Sequence, residues 1–355
     1  MAPVTGCCVL YEWWWTPVEA RAMTAPREAP PYTGVRTFAG LPHAALAGEG
    51  EGEGAPTAEA AGRAGADGGD RRAAVVGIPF DTATSWRAGA RFAPEAIRSA
   101  SALLRPWHPL HGVEVLRPGA VVDAGDVPIT PGNAGRSVEQ IADALSALCS
   151  SGTIALVLGG DHLVSLGELR AHASLHGPLA LVLFDAHADT WDHYYGERLF
   201  HGTVVRRAVE EGLVDPSRSL IAGLRGSLYS PRDLDDARAL GLELVQIDEL
   251  RATPPAAFAG RVRDRVANAP AFLGFDIDVI DPSAAPATGT PEVGGLLAGE
   301  ALAHVRALSG IRLVGFDVVE VSPPYDAPGQ ITSLLAANLA YEMLALAALN
   351  RTGTG

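Results

Sequence analysis

The sequence contains no lysine, and all 27 of its basic residues are arginine. This absence excludes Schiff-base chemistry on a lysine amine and the phosphate-binding lysine of a P-loop. The 41 acidic residues give a net charge of −14. We therefore expect no nucleic-acid partner, because such a partner requires a basic face.

Cysteine is also scarce, and no apolar run reaches the roughly 18–20 residues that a bilayer-spanning helix needs. No membrane partner is therefore expected. Cys7, Cys8 and Cys149 form neither a CxxC pair nor a disulfide framework, which predicts a cytoplasmic protein because the cytoplasm is reducing. Cys149 lies in an apolar helical pattern and is interpreted as a core residue rather than a nucleophile.

Residues 1–71 differ in composition from the rest of the chain. An apolar cluster at 7–15 is interrupted by Glu12 and has no basic segment before it, so we do not expect a signal peptide. Met23 is an alternative start, which N-terminal sequencing of the native protein would test. Residues 44–70 carry too few large apolar side chains to offset their ordering entropy and predict a flexible linker. We expect residues 32–43 to pack on a domain of residues 72–350.

From residue 72 onward, short apolar runs alternate with helical patterns. Strands are predicted at 73–78, 120–123, 154–158, 179–184, 219–222, 243–246, 271–275 and 312–316. Helices are predicted at 94–104, 137–149, 163–176, 203–212, 231–240, 299–308 and 330–349. Continuous apolar strands separated by helices predict one α/β domain, a three-layer α/β/α sandwich with a central, mostly parallel sheet.

Metal-ligand residue types follow one of these strands. The strand at 179–184 leads directly into Asp185, His187 and Asp189. An extended segment would point these three side chains to one side, because side chains alternate along a strand. Ligands in open parallel sheets bind just beyond the carboxyl ends of the strands, so this position is apt for a metal site.

Two further strands end in similar residues. The strand at 271–275 leads into Asp276 and Asp278, which share one face of an extended segment. The strand at 154–158 is followed by two glycines that permit a tight turn and can present His162 toward the same edge of the sheet.

Each of these residues alone has an ordinary interpretation, since a strand-end aspartate usually caps a helix and a lone histidine is usually a satisfied polar residue. Their occurrence together favours a metal site over these ordinary interpretations. Four or five carboxylates at one edge of the sheet would repel one another unless cations compensated their charge. Two imidazoles and four carboxylates form an oxygen-rich set that favours manganese, and so many charged ligands indicate two ions. Two ions would acidify a shared water into a hydroxide nucleophile near neutral pH.

The blocks GGDH, DAHAD and FDIDVIDPSAAPATGTPEVGG resemble the three signature blocks of the ureohydrolase (arginase/agmatinase) family. The likeness covers about residues 32–349 and includes GIPFDTATSWRAGARFAPEAIR, HGTVVRRAVEEGL and VVEVSPPYD, which resemble the agmatinase-like branch more than arginase. This resemblance implies an arginase-like sandwich that assembles as a homo-oligomer, a trimer or a hexamer.

The resemblance also implies roles for particular residues. One Mn²⁺ would be held by His162, Asp185, Asp189 and Asp276. The second Mn²⁺ would be held by Asp185, His187, Asp276 and Asp278, so that Asp185 and Asp276 bridge the two ions.

Three residues are expected to take part in catalysis. Asp189 would orient the hydroxide, and His201 resembles the family's mobile proton shuttle. Glu320 matches the acid that pairs with the substrate guanidinium, which suits the parallel N–H donors of that group. The alternatives are a helix-entry cap for His201 and a strand-end salt bridge for Glu320.

The implied reaction is Mn-dependent cleavage of a guanidino compound to urea and an amine, with agmatine giving putrescine. Alternative substrates are 4-guanidinobutyrate and a guanidine of the proclavaminate type. Other possible identities are a zinc deacetylase, which would hold one metal with fewer ligands, and a catalytically silent relative that acts as a binding protein.

Recognition of the substrate tail is expected from the loops at 191–200 and 226–231. Trp191, Tyr194 and Tyr195 are candidates for the substrate mouth, with simple loop packing as the alternative. The candidates for binding a carboxylate are Arg198 or Arg225, and those for binding an amine are Asp192 or Glu197. Leu163, Val204 and Val205 depart from residues common in the family, which predicts an altered pocket wall near the tail.

Overall fold

A computed structural model describes residue 30 and residues 33–46, 73–117 and 119–352. The apolar cluster at 7–15, the alternative start at Met23 and residues 47–70 of the predicted linker lie outside these ranges. In the described N-terminal segment, Phe38, Ala39 and Leu41 are buried in the core. The backbone N–H of Phe38 also donates to Oδ2 of Asp123 at 2.7 Å, which ties this segment to the sheet.

The described residues form ten strands. In chain order they are β1 (Ala73–Gly77), β2 (Trp107–His108), β3 (Val113–Glu114), β4 (Val121–Asp126), β5 (Ile154–Leu158), β6 (Ala180–Phe184), β7 (Leu220–Leu224), β8 (Glu243–Gln246), β9 (Ala271–Asp276) and β10 (Leu313–Val319). Eight of them form one sheet in the order β4-β1-β5-β10-β9-β6-β7-β8, and every pairing in it is parallel.

Nine α-helices accompany these strands. They are α1 (Ala93–Ala100), α2 (Ala134–Cys149), α3 (Val164–His176), α4 (Val204–Glu210), α5 (Arg232–Ala239), α6 (Ile247–Ala252), α7 (Pro255–Val266), α8 (Ala298–Arg306) and α9 (Ile331–Thr352). Asn133 caps the N-terminus of helix α2, since its side chain accepts the N–H of Arg136 at 3.0 Å.

The strands are buried on both faces, which explains their continuous apolar sequences. In β1, Ala73 and Val75 join a core cluster with α1 and α6 to α9, whereas Ala74 and Val76 join a second cluster with α2 to α5. Alternate residues therefore pack into opposite helical layers. The predicted three-layer sandwich with a parallel sheet is confirmed.

All eight predicted strands form, but three other elements were missed. One is the antiparallel hairpin of β2 and β3, and the others are helices α6 and α7. Consecutive prolines at 254 and 255 resemble a helix breaker, yet Pro255 occupies the first helical position, where its missing N–H costs nothing. Strand β10 also continues to Val319, so Glu320 follows it directly.

Helix α9 is long and apolar in composition, although polar residues interrupt its apolar runs. Among the described residues, Ile331–Asn350 has the length and composition of a membrane span, with a mean hydropathy of 1.5. However, 83% of the tested window is buried inside the protein, which is the position of a core helix.

Candidate metal centre

The first group of predicted metal ligands surrounds His162. Its Nδ1 atom lies 2.8 Å from Oδ2 of Asp189, 3.2 Å from Oδ2 of Asp185 and 3.5 Å from Oδ2 of Asp276. Asp276 is the last residue of β9, and the other three residues follow β5 and β6. All three strands are parallel and end at the same edge of the sheet.

A second group surrounds His187. Its Nδ1 atom lies 2.9 Å from Oδ2 of Asp278 and 3.7 Å from Oδ1 of Asp185. Asp185 therefore belongs to both groups, whereas Asp276 belongs to the first group alone. The bridging role of both residues stays a prediction. Within each group, the potential ligand atoms lie within 4.8 Å of one another. The first such set comes from His162, Asp185 and Asp276, and the second comes from Asp185, His187 and Asp278.

The local backbone differs from the expected extended segments. The chain bends at Ala186 and His187, and Asp189 adopts a left-handed conformation with φ of 52°. Beyond β9, Ile277–Val279 forms a 3₁₀ turn in which the N–H of Asp278 donates to Oδ1 of Asp276 at 2.8 Å. The ligands converge through these turns rather than by simple strand alternation.

Several buried atoms at the centre lie close to charged neighbours but make no hydrogen bond of acceptable geometry, namely Nδ1 of His162, Oδ2 of Asp185 and Oδ2 of Asp278. Buried polar atoms are ordinarily satisfied, so unpartnered atoms that converge fit divalent cations as the missing partner. The electrostatics of the centre also favour bound cations. Burial and the charges of Asp189 and Asp278 raise the pKa of Asp185 to about 7. Cations would relieve this repulsion.

The turn that presents His162 requires glycine for steric reasons. A Cβ atom on Gly160 would lie 1.7 Å from the backbone oxygen of Phe80. Asp161, next to it, is fully buried and accepts N–H bonds from Ala83 and Leu163 at 2.8 and 3.1 Å. Burial and the charge of Glu320 raise the pKa of Asp161 to about 8.

His201 is held between two side chains. Its Nε2 atom accepts the backbone N–H of Ser85 at 3.1 Å and lies 2.9 Å from the Ser85 hydroxyl. Its Nδ1 atom lies 3.1 Å from Oε1 of Glu320. Burial alone would lower the pKa of His201, but Glu320 and the charges of Asp189 and Asp161 raise it.

Glu320 is buried behind His201. Its Oε1 atom also accepts the backbone N–H of His162 at 2.9 Å. Its φ of 62° places it in the left-handed region, as for Asp189. Non-glycine residues in this region concentrate at functional sites, where the surrounding contacts maintain the strained conformation. The two predicted catalytic carboxylates share this property.

A cavity of about 730 Å³ opens beside the metal-ligand groups. His187, Asp189 and His201 line it, so the groups open directly into this space. Of the described residues, His201 lines the cavity and Glu320 does not.

Aromatic side chains form one side of the cavity. Trp191 stacks on Tyr194 with ring centroids 4.7 Å apart, and the hydroxyl of Tyr194 lies 3.0 Å from that of Tyr229. These residues join the two loops from which tail recognition was expected. Tyr195 does not line the cavity and is 75% exposed.

The predicted tail-binding charges are engaged elsewhere or lie off the cavity wall. Arg198 and Asp192 bind each other at 3.0 Å, and Arg198 also binds Glu210. Glu197 is exposed and, like Asp192 and Arg198, does not line the cavity. Arg225 does line it, but its guanidinium donates to the backbone carbonyls of residues 223, 278, 279, 280, 292 and 293.

The residues of the cavity wall that the sequence interpretation missed include Ser85, Trp86, Asp233 and Glu292. Glu292 lies within the TPEVGG block and could have been found there. Asp233 has no motif around it and reaches the cavity only through the fold. The altered residues Leu163, Val204 and Val205 are buried in the core and do not line the cavity, so the expectation of a changed pocket wall is wrong.

Comparison with known proteins shows to which family the chain belongs. The Arginase family model matches residues 71–345, more than half of the chain. The chain belongs to the arginase (ureohydrolase) family. As an arginase-family amidinohydrolase, the enzyme hydrolyses C–N bonds of amidines.

Relatives within the family differ in substrate. Guanidinobutyrase of Pseudomonas aeruginosa is 45% identical over 272 residues, which cover 77% of this chain and 85% of the relative. Mitochondrial agmatinase of Gallus gallus is 42% identical over 272 residues, which cover 77% and 80%. The solved structure of proclavaminate amidinohydrolase from Streptomyces clavuligerus superposes with a TM-score of 0.79 at 39% identity. The match covers 90% of the present chain and 99% of the Streptomyces chain.

Proposed function

We propose that this amidinohydrolase is a Mn-dependent agmatinase that cleaves agmatine to putrescine and urea. Six residues would hold two Mn²⁺ ions, namely His162, Asp185, His187, Asp189, Asp276 and Asp278. The donor set of two imidazoles and four carboxylates supports manganese, because hard oxygen-rich sites suit this ion better than zinc. When bound, the metal pair supplies Lewis acidity that lowers the pKa of a water molecule.

The chain's own residues would orient the reaction. Asp189 would accept a hydrogen bond from the attacking water, and Glu320 would bind the guanidinium N–H groups through charge-assisted hydrogen bonds. His201 lies between Glu320 and the cavity, so its imidazole must leave Oε1 of Glu320 when the guanidinium arrives. A displaced His201 would be free to give a proton to the departing amine.

The charge of the cavity wall is our reason for proposing agmatine as the substrate. Asp233 and Glu292 are acids on its wall, and Trp191 and Tyr229 offer aromatic faces. Both features favour the terminal ammonium of agmatine. A substrate carboxylate would need a cation, and Arg225, the arginine on the described wall, already donates to six carbonyls.

A urea-release assay with Mn²⁺ over agmatine, 4-guanidinobutyrate and a proclavaminate-type guanidine tests this proposal. We expect the highest kcat/KM for agmatine. The variant Asp233→Asn should lose about tenfold in kcat/KM for agmatine, the loss expected for one charge-assisted contact, and less for 4-guanidinobutyrate. Asp235→Asn is the matched control, because Asp235 lies on the same helix and pairs with Arg238 outside the cavity. A wild-type preference for 4-guanidinobutyrate would exclude agmatine as the principal substrate.

Metal analysis separates the remaining alternatives. Two Mn²⁺ per chain support the proposal, whereas one tightly bound zinc would indicate deacetylase chemistry. Urea release from none of the guanidines would indicate a silent relative. A cytoplasmic location and assembly as a trimer or hexamer belong to the same proposal, and cell fractionation and analytical ultracentrifugation test them.

A further inference from the structure

A second group of polar side chains is buried away from the cavity, between helix α3 and the central strands. It consists of Ser165, Glu168 and His172 on α3 and Asp317 on β10, and all four are buried. Burial of acids is costly unless they are hydrogen-bonded or paired. The roles proposed above use none of the four residues.

Asp317 differs from the others because both of its oxygens accept hydrogen bonds from segments that carry metal ligands. Oδ1 accepts the backbone N–H of Phe275 at 3.1 Å, and Oδ2 accepts the hydroxyl of Ser165 at 2.6 Å. Phe275 directly precedes Asp276, and Ser165 follows His162 by three residues. One carboxylate on the central strand therefore joins the end of β9 to the start of α3.

The backbone around Asp317 is shaped for this contact. A Cβ atom on Gly274 would lie 3.2 Å from Oδ1 of Asp317 and 3.0 Å from Cδ1 of Leu183. The carboxylate thus approaches β9 at a position that carries no side chain. A glycine inside a strand often marks such a close approach.

We propose that Asp317 is a positioning residue for the metal centre. It holds β9 and the start of α3 at the separation at which Asp276 and His162 converge, with Oδ2 of Asp276 3.5 Å from Nδ1 of His162. Metal ligands must be held within about 0.5 Å of their productive positions, so a support that joins two ligand-bearing segments has direct consequences for affinity. The inference rests on the metal centre proposed above and is independent of which guanidine is the substrate.

Glu168 supplies a matched control from the same buried group. Neither of its oxygens has a hydrogen-bond partner, so it joins no ligand-bearing segments. Burial and the neighbouring charge of Asp317 raise the pKa of Glu168 well above its usual range. Glu168→Gln keeps the size and shape of this side chain and removes only its acidity.

The experiment compares Asp317→Asn, Glu168→Gln and wild type as metal-free full-length proteins. Circular dichroism checks the fold, and isothermal titration with Mn²⁺ measures the dissociation constants. We expect Asp317→Asn to bind Mn²⁺ about 10–100-fold more weakly, the usual cost of losing a group that supports metal ligands, while Glu168→Gln binds as wild type does. At saturating Mn²⁺ the kcat of Asp317→Asn should recover, and the KM for the guanidino substrate should match that of wild type.

Ser165→Ala provides a second variant that keeps the carboxylate and removes one of its donors. It should weaken Mn²⁺ binding about fivefold, in line with one hydrogen bond, and it decides the question if Asp317→Asn does not fold. Unchanged Mn²⁺ binding in the folded variants, or an equal loss in Glu168→Gln, would overturn the inference. A wild-type chain that binds no Mn²⁺ would overturn the proposed metal centre itself, and the inference with it.

Discussion

Nδ1 of His201 lies 3.1 Å from Oε1 of Glu320, although 119 positions separate the two residues in the sequence. Because Nε2 of His201 accepts the N–H of Ser85, the hydrogen bonds assign the ring proton to Nδ1, which donates to Glu320. The two predicted catalytic residues therefore form one unit. In this arrangement, His201 donates to Oε1 of Glu320, the oxygen that we expect to accept from the substrate guanidinium.

The first prediction concerns the charge of Glu320. In Glu320→Gln the guanidinium loses an ionic acceptor, so kcat/KM for agmatine should fall about 10–100-fold, as expected for a charge-assisted hydrogen bond of about 1.5–3 kcal/mol. Steady-state assays at saturating Mn²⁺ measure this effect.

Glu342→Gln is the control for that variant. Glu342 is also a buried acid, but it binds Arg306 and His108, and none of the three lines the cavity. This control should lower stability and leave kcat/KM unchanged. Near wild-type activity in Glu320→Gln would show that the carboxylate does not bind the substrate.

The second prediction concerns pH and stability. Burial lowers the pKa of His172 to about 4, compared with about 6.5 in an unfolded chain. Between these values the unfolded state binds more protons, so stability falls as the pH drops from 6.5 to 4. At pH 5 this residue should cost about 2 kcal/mol of unfolding free energy relative to pH 7.

Urea unfolding of metal-free protein at pH 7 and pH 5 measures that cost. In His172→Phe the loss of stability between the two pH values should be about 2 kcal/mol smaller than in wild type. His193 is mostly exposed, so His193→Gln should retain the wild-type dependence. Identical pH dependence in His172→Phe and wild type would show that His172 is not kept neutral by the fold.

The third prediction contrasts two glycines. A Cβ atom on Gly160 would collide with the backbone of Phe80, so Gly160→Ala should prevent folding or displace His162 and abolish Mn²⁺ binding. Gly260 lies inside α7 with nothing within 4 Å of an added Cβ, and Gly260→Ala should stabilise the protein by up to about 1 kcal/mol. Urea unfolding and Mn²⁺ titration check both variants, and a Gly160→Ala protein with wild-type properties would contradict the steric argument.

The fold could be predicted because its parallel sheet is buried on both faces. Strands such as β5 and β6 are uninterrupted apolar runs that alternate with helical patterns along the chain. The hairpin of β2 and β3 could not be predicted in this way, since its strands have two residues each and show no periodicity. Helix α7 was missed because the consecutive Pro254 and Pro255 resemble a loop more than the start of a helix.

The tail-binding wall could not be predicted for a different reason. Arg198 and Asp192 were suitable in charge and proximity to the motif, but they neutralise each other at the surface. Asp233 lies on helix α5 after β7 and Glu292 lies in the loop after β9, and only the packing of those strands brings both residues to one cavity. The local sequence around Asp233 carries no signal for such long-range convergence.

The sequence alone determined the fold class and the set of candidate metal ligands, because both depend on short-range patterns of apolar runs and strand-end residues. The tertiary structure decided how the ligands converge, with turns at Asp189 and Asp278 where extended strands were expected. It also placed His201 over Glu320 and used the guanidinium of Arg225 for backbone carbonyls. These outcomes depend on which distant groups satisfy each buried donor and acceptor, and that competition is resolved only when the chain has folded.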